Sequence, residues 1–325
     1  MKTIHLYIAL FFFGAAAATL GACNKVTSGY LSAQIRYPDN PIQIPRGIVT
    51  QTNPVDADGS SAPVIYELLD VRDSATGKHA DAFFANHYRY LFTGQFDATV
   101  DTTVALLNSV RELIDSPCFD FNIHTGAFTF YNTTDSVPAG TYTYDVKATN
   151  ESGSKIYKNI ATFTLYDGLP YENDGAACAW FQDATTNNGN ISTPTMTVQQ
   201  QSTNGDRVIL KIVDENGTPF NPANNEYIPR GDRSSFQTFA RFHPLIVTDT
   251  ALICDFELTP FPIIQGAQGY TIYYRIPSNI ALIDPGITPT PDRIYSANPR
   301  FTFRLWQDGT YLVTIQIPHV TRDPI

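Results

Sequence analysis

Residues 140–147 of the chain read Gly-Thr-Tyr-Thr-Tyr-Asp-Val-Lys, and this stretch indicates how the first half folds. In an extended chain Tyr142, Tyr144 and Val146 point to one side, while the intervening Thr, Asp and Lys side chains point to the other. This period of two is typical of a strand that buries one face. A turn-forming sequence at residues 150–154 and a closing strand at residues 160–166 follow. The stretch therefore predicts the end of a β-domain.

Strand-like sequence extends in both directions from this point. The other candidates are residues 31–37, 42–50, 63–71, 127–131, 208–213, 236–242, 245–247, 252–258, 270–276, 301–305 and 311–317. Residues 100–114 are the exception, because Val100, Val104, Leu107, Val110 and Ile114 recur at helical spacing. We predict one short helix there, with Asp101 at its start and Ser116-Pro117 after its end.

Turn signals divide the chain further. Asp214-Glu215-Asn216-Gly217 and Trp306-Gln307-Asp308-Gly309 both predict hairpin turns between strands. Strand propensity stops at Asp167-Gly168-Leu169-Pro170, which indicates a domain boundary. The expected fold is all-β, with residues 31–168 and residues 169–325 each forming a β-sandwich, the second of them jelly-roll-like.

The N-terminus predicts export and a lipid anchor. Met1 and Lys2 precede an apolar run from Ile4 to Leu20 that is too short for a comfortable membrane span. Leu20-Gly21-Ala22-Cys23 resembles the lipobox of bacterial lipoproteins, in which the cysteine is acylated and becomes the mature N-terminus. On this interpretation residues 1–22 are the signal peptide, Cys23 is lipidated and residues 23–30 form a tether. An ordinary cleaved signal peptide is the alternative.

The composition excludes some partners. The formal net charge is −10, and removal of Lys2 with the signal leaves 20 basic and 31 acidic residues, or −11. Nucleic acid would require a basic surface, so it is not an expected partner. Three cysteines remain after Cys23, of which Cys178 and Cys254 are the pair to test for a disulfide; burial as free thiols is the alternative.

Motifs for catalysis and cofactors are scarce. The chain has no phosphate-binding glycine loop, no Gly-x-Ser-x-Gly, no His-Glu-x-x-His and no Cys-x-x-Cys. Asp56 and Asp58 are weak candidate calcium ligands, for which a solvated turn is the favoured alternative, and no other cofactor is expected. Asp255 and Glu257 are the candidate acids of a glycoside hydrolase, although two solvated residues of one strand would have the same spacing. We therefore expect a protein without a catalytic site.

Aromatic residues in the second half favour sugar binding instead. An aromatic ring stacks on the apolar face of a pyranose while amide, carboxylate and guanidinium groups bind its hydroxyls. The ring candidates are Trp180, Tyr227, Tyr273, Tyr274, Tyr295 and Trp306. Trp180, Tyr295 and Trp306, together with Gln307 and Asp308 in the turn, are the predicted carbohydrate-binding residues. Packing of each ring into the core is the alternative.

Residues 119–166 resemble the last strands of cadherin-like and immunoglobulin-like modules of bacterial surface proteins. The resemblance rests on a hairpin with His124-Thr125-Gly126, on Gly140-Thr141-Tyr142 and on Thr162-Phe163-Thr164-Leu165. Together with the lipobox and the aromatic-rich second half, this architecture resembles Bacteroidetes-type outer-membrane lipoproteins encoded with glycan-uptake systems.

The resemblance implies a non-catalytic protein that is anchored in the outer membrane and binds an oligosaccharide or polysaccharide beside outer-membrane transporter components. Asn24-Lys25-Val26 lacks the acidic residues that often follow the cysteine of surface-exported members, so the periplasmic face and the cell surface both stay open. The alternatives are a structural or adhesive lipoprotein that contacts other proteins and, third, a glycoside hydrolase.

Overall fold

The computed structural model describes residues 29–231 and 233–324. The signal sequence and Cys23 lie outside the described residues. Strands make up 46% of the structure and helices 7%, so the predicted all-β class is confirmed. Within the described ranges no helix has the length and apolar character needed to cross a bilayer.

The first half forms two facing sheets. Its strands are β1 (Ile42–Pro45), β2 (Thr50–Gln51), β3 (Ile65–Asp73), β4 (His87–Phe92), β5 (Arg111–Ser116), β6 (Phe119–Phe121), β7 (Phe128–Phe130), β8 (Gly140–Asn150) and β9 (Gly153–Tyr166). Helices α1 (Asp81–Phe84) and α2 (Val104–Ser109) and a 3-10 turn (Asn132–Ser136) connect them. A sheet of order β1-β9-β8-β3 packs against one of order β2-β7-β6, while β4 and β5 pair separately. Ring contacts such as Phe128–Tyr144 (5.1 Å) join the two facing sheets.

Residues 140–147 belong to β8, an inner strand that lies between β9 and β3. Tyr142, Tyr144 and Val146 are buried as expected, and the turn between β8 and β9 pairs Asn150 with Gly153. Asp145 is also buried, although the alternation placed it outside. The register shifts between Tyr144 and Val146, and the Arg72 guanidinium binds both Asp145 carboxylate oxygens, at 2.6 and 3.0 Å. The bulge and this partner explain how a carboxylate is tolerated there.

The helix predicted over residues 100–114 is wrong in extent. The helix covers only Val104–Ser109, and Thr103, rather than Asp101, accepts a hydrogen bond from a backbone N–H at its start. Residues Arg111–Ser116 form β5 and pair with β4. The cross-strand partner, which lies some 20 residues earlier in the sequence, overrides the helical spacing of Val110 and Ile114.

The second half forms a sandwich of two five-stranded sheets. Its strands are β10 (Tyr171–Gln182), β11 (Asn188–Ser192), β12 (Thr195–Ser202), β13 (Asp206–Val213), β14 (Ile228–Pro229), β15 (Ile246–Val247), β16 (Leu252–Asp255), β17 (Ile272–Arg275), β18 (Ala281–Ile283), β19 (Tyr295–Leu305), β20 (Gly309–Gln316) and β21 (Val320–Arg322). A 3-10 turn (Pro222–Asn224) and helix α3 (Phe236–Phe239) interrupt them, and β18 pairs with β21. The sheet orders are β11-β10-β19-β17-β14, called the front sheet here, and β12-β20-β13-β16-β15, called the back sheet.

The turn Trp306–Gly309 does not close a hairpin. The strand before it, β19, belongs to the front sheet, and the strand after it, β20, belongs to the back sheet. The turn therefore carries the chain from one layer of the sandwich to the other. A turn forms at residues 214–217, with Gly217 at φ +81° and its N–H bonded to the Asp214 carbonyl, and an isolated antiparallel bridge joins Val213 and Pro219. It does not connect two strands of one sheet, because β13 belongs to the back sheet and the next strand, β14, to the front sheet.

Buried apolar residues form two clusters, one drawn from residues 35–165 and the other from residues 178–320. Cys118, Cys178 and Cys254 are buried free thiols, so the pair singled out for a disulfide is not bonded. Burial raises the pKa of each thiol to about 12. Polar contacts join the two halves, including the Gln307 amide to the Arg46 carbonyl at 2.7 Å.

Candidate binding face

The outer surface of the front sheet carries a row of large polar and aromatic side chains. Alternate residues of β19, namely Phe301, Phe303 and Leu305, enter the core. Arg300, Thr302 and Arg304 therefore point to the opposite side, away from the core. Exposure follows the same alternation, with Arg300 exposed and the other two partly exposed.

The neighbouring strands add an aromatic ring and a shallow groove at the middle of this row. Tyr273 of β17 lies directly across from Arg300, and Ala177 of β10 flanks Arg300 on its other side. The Thr302 hydroxyl donates to the Thr271 hydroxyl at 3.0 Å, which ties β19 to the start of β17. Because Ala177 is small and β10 shifts register nearby, a groove of about 270 Å³ opens here.

One end of the row is a stack of an arginine between two aromatic rings. The Arg304 guanidinium lies 3.8 Å from the centre of the Tyr270 ring and 5.0 Å from that of Trp306. Both rings are partly exposed. Such cation–π contacts hold the rings and the guanidinium in fixed orientations.

The other end is a second groove, of about 460 Å³, whose wall includes Phe181 and Asn298. Arg275 donates to an Asp183 carboxylate oxygen at 2.5 Å, and the Ser278 hydroxyl donates to the other oxygen at 2.5 Å. The Arg230 guanidinium lies 4.5 Å from the centre of the Phe181 ring. This end therefore also combines a ring with polar groups whose positions are fixed by hydrogen bonds.

We call this surface the Arg–aromatic face. It consists of Phe181, Tyr270, Tyr273, Arg275, Asn298, Arg300, Arg304 and Trp306. From Asn298 to Trp306 it runs about 27 Å at ~3.4 Å per residue, which is long enough for several linked sugar rings. Half-exposed rings beside guanidinium donors can bind a ligand that has apolar faces and a hydroxyl-rich edge.

The predicted carbohydrate-binding residues lie in three different environments. Trp180 and Tyr295 are 8% and 4% exposed, and their rings contact each other edge to face in the core at 5.2 Å. Trp306 lies on the Arg–aromatic face. Gln307 and Asp308 lie where the two halves meet, since Gln307 binds the Arg46 carbonyl and Asp308 accepts from the Asn132 amide at 3.5 Å. Of this set, Trp306 is the residue that lies on the Arg–aromatic face.

Among the other ring candidates, Tyr273 joins Trp306, whereas Tyr227 and Tyr274 are buried. Sequence reasoning missed Tyr270, Phe181, Arg300 and Arg304. The alternation from Phe301 to Leu305 contained the signal for the two arginines, because it places Arg300 and Arg304 on the same face as Thr302. Tyr270 precedes its strand in a loop, where alternation gives no guide.

The candidate calcium ligands are already paired within the protein. The Arg36 guanidinium contacts Asp56 at 2.6 Å and Asp58 at 3.4 Å, and the Ser32 hydroxyl donates to Asp58 at 2.5 Å. Among the described residues, no group of three or more His, Cys, Asp or Glu side chains is placed to hold a metal ion.

The candidate hydrolase acids line a cleft on the back sheet, of about 500 Å³. Asp255 accepts two hydrogen bonds from Arg207, at 2.6 and 2.9 Å. Glu257 binds Arg111 at 2.6 Å and His243 at 2.8 Å. Arg207 holds the pKa of Asp255 below its usual range, and desolvation followed by neighbouring carboxylates raises the pKa of Asp206 at the cleft mouth to about 6. Both candidate acids are thus held by basic partners.

Comparison with known proteins gives little further guidance. The chain matches no family model and no curated protein. Among solved structures it is similar to a SusE-like, surface-located polysaccharide-binding protein of the Bacteroides thetaiotaomicron heparin utilisation locus, with 8% sequence identity and a TM-score of 0.25. The match covers 87% of this chain and 53% of that one, so the chain spans about half the length of that protein. A similarity at this level carries neither a fold assignment nor a function.

Proposed function

We propose that the protein is a membrane-anchored, non-catalytic carbohydrate-binding protein of a glycan-uptake system. Residues 31–168 serve as a spacer domain and residues 169–325 as the binding domain, each with its own buried apolar cluster. Acylated Cys23 holds the protein in the outer membrane, near transporter components, at the cell surface or on the periplasmic side. The observation that carries the proposal is the Arg–aromatic face.

The chemistry of this face suits a polysaccharide better than a small apolar ligand. Its two grooves each include a ring, Phe181 in one and Tyr273 in the other, and the Trp306 ring lies beside Arg304 at the end of the face. Rings fixed by guanidinium contacts can bind successive sugar faces without a large ordering cost. The hydrogen-bonding groups between the rings can then select hydroxyl positions.

A non-catalytic role is supported by the state of the candidate acids. Glycoside hydrolysis needs one carboxyl group that donates a proton and another that attacks or activates water. Asp255 and Glu257 instead accept hydrogen bonds from Arg207, Arg111 and His243. Release of reducing sugar from any bound glycan by the purified protein would favour the hydrolase alternative.

The proposal is tested by measuring binding to a panel of plant, host and microbial polysaccharides by affinity electrophoresis and calorimetry. We expect micromolar to millimolar affinity for at least one glycan. Trp306→Ala and Tyr273→Ala are expected to weaken binding about tenfold each, since a lost ring contact of about 1.4 kcal/mol corresponds to that factor.

Tyr88→Ala is the matched control, because Tyr88 is a 73% exposed ring on a different surface. Its affinity should equal that of the unsubstituted protein. Absence of binding across the panel, or loss of binding in Tyr88→Ala but not in Trp306→Ala and Tyr273→Ala, contradicts the proposal.

The second candidate function is adhesion to another protein, and the β4–β5 hairpin favours it. Tyr88, Tyr90 and Leu113 of this two-stranded unit are 73%, 49% and 57% exposed, and Tyr90 pairs directly with Leu113. Exposed apolar surface of this kind is typical of contact sites. Co-purification of a stoichiometric protein partner from detergent-solubilised membranes, lost in Tyr90→Ser, would favour this alternative.

A further inference from the structure

The Arg–aromatic face concentrates cationic groups on a protein that is acidic as a whole. The chain contains 14 arginines and has a net charge of −10. Five of those arginines lie on or beside this face: Arg230, Arg233, Arg275, Arg300 and Arg304. The concentration is local, so it cannot be explained by a generally basic surface.

Two of these arginines have no acidic partner among the residues that the structure describes. Arg300 is exposed and lies between Ala177 and Tyr273. Arg304 stacks against the Tyr270 and Trp306 rings and forms no ion pair with a residue that the structure describes. A guanidinium that is not held by a carboxylate can bind an anionic ligand without first breaking an ion pair.

The acidic groups of the same surface leave these two arginines unpaired. Asp183 is engaged with Arg275 and Ser278. Glu172 lies opposite Arg304 on β10, and Asp174 lies beside the groove at Arg300, yet neither forms an ion pair with them. In contrast, other arginines such as Arg72, Arg111 and Arg322 bind carboxylates at 2.5–2.6 Å.

We propose that the ligand of the Arg–aromatic face is an acidic polysaccharide, with Arg300 and Arg304 binding the carboxylate or sulfate groups of its sugars. This inference rests on the proposed function and names its ligand class. A guanidinium presents its N–H donors as a planar fork that matches two oxygens of either anion. The two arginines are four residues apart on one strand, about 13 Å at ~3.3 Å per residue, so they bind anionic groups on different sugars of one chain. Tyr273, Tyr270 and Trp306 flank them and contact the sugar rings.

The test compares polygalacturonate, dextran sulfate and neutral dextran, together with the best neutral glycan of the panel, by calorimetry at low and high salt. The variants are Arg300→Gln, Arg304→Gln and Trp306→Ala. Lys158→Gln is the matched control, because it removes one positive charge from an exposed position in the first half. We expect at least one of the two acidic polymers to bind. Its affinity should fall about tenfold in Arg300→Gln and in Arg304→Gln, and it should stay unchanged in Lys158→Gln. Binding should also weaken as salt rises.

The outcomes separate the two proposals. Binding of polygalacturonate alone assigns the carboxylate, and binding of dextran sulfate alone assigns the sulfate; both support the inference. If a neutral glycan binds in a Trp306-dependent manner and neither acidic polymer binds, the inference is overturned while the proposed function stands. Acidic binding that Arg300→Gln leaves unchanged also overturns the inference, and Arg300 is exposed, so that variant is expected to fold. Failure of every glycan to bind overturns both.

Discussion

Asp206 shows how one residue makes stability depend on pH. Although Asp206 is exposed at the surface, desolvation by its surroundings and then the charges of Asp308, Glu257 and Asp255 raise its pKa from 3.8 to about 6. The folded protein therefore holds this proton more tightly than the unfolded chain. Its contribution to stability is fully present below pH 3.8 and is lost as pH rises through about 6.

We predict that Asp206→Asn is more stable than the unsubstituted protein at pH 7, and that the gain falls as pH is lowered through about 6 towards 4. Urea unfolding at several pH values measures this difference. Asp249→Asn, which neutralises an exposed carboxylate after β15, should change little at any pH. A gain for Asp206→Asn that is the same at pH 4 and pH 7 would contradict the assigned cause.

Single residues also mark the limit of what the sequence can predict. The chemistry of Trp180 and Trp306 is the same, yet Trp180 packs on Gly189 and Tyr295 in the core whereas Trp306 stands beside Arg304 at the surface. Local alternation cannot separate the two cases, because burial of a ring depends on which sheet lies over it. Where alternation was regular, as at Tyr142 and Tyr144 in β8, burial was predicted correctly.

At the scale of elements, one arginine joins the β4–β5 hairpin to the second half of the molecule. Arg111 is 1% exposed, stacks 3.8 Å from the centre of the Tyr90 ring, and binds the Glu257 side chain at 2.6 Å and the Glu257 backbone carbonyl at 3.1 Å. A two-stranded unit is only marginally stable alone. This contact with the second half adds to those that Arg89 makes with Tyr131 and Asp120 in the first half.

We predict that Arg111→Met lowers the free energy of unfolding by about 3 kcal/mol, because it leaves a partly buried carboxylate without its main partner. Hydrogen exchange of residues 87–116 should accelerate with it. Lys147→Met breaks the exposed pair with Glu67 and should cost less than about 1 kcal/mol. Unchanged exchange in the hairpin of Arg111→Met would show that other contacts hold it.

Strand pairing explains why the helix predicted over residues 100–114 and the hairpin predicted at Trp306–Gly309 are wrong. The helical spacing of residues 100–114 was real, but pairing of Arg111–Ser116 with β4 supplied hydrogen bonds that a longer helix would have had to replace. The turn at Trp306–Gly309 has hairpin chemistry, but its flanking strands enter different sheets. Both differences depend on pairing with strands that are distant in the sequence, and the periodicity of a short segment contains no information about such pairing.

At the scale of the whole molecule, the proposed function requires a lipid on Cys23. Each buried acyl methylene contributes about 0.8 kcal/mol, so several chains on one residue anchor a soluble domain. We predict that labelled palmitate is incorporated into the protein and not into Cys23→Ser, which should move to the soluble fraction. Cys254→Ala should remain labelled and membrane-bound. Membrane retention of an unlabelled Cys23→Ser would contradict the anchor.

The all-β class and the strand-rich character of both halves followed from composition and alternation alone. The Arg–aromatic face did not, because it is assembled from β10, β17 and β19, and the first and last of these strands are more than 110 residues apart in the sequence. Each strand contributes only one to three of its residues, and Tyr270 and Trp306 lie just outside the strands. No single segment of the sequence carries the complete pattern.

The most direct measurement is a crystal structure of the protein with an oligosaccharide from the tightest-binding glycan. We expect sugar density along β19, with sugar rings against Tyr273 and Trp306 and polar contacts to Arg300 and Arg304. Ligand density in the cleft of Asp255 and Glu257, or on the β4–β5 hairpin, with the front sheet bare, would contradict it.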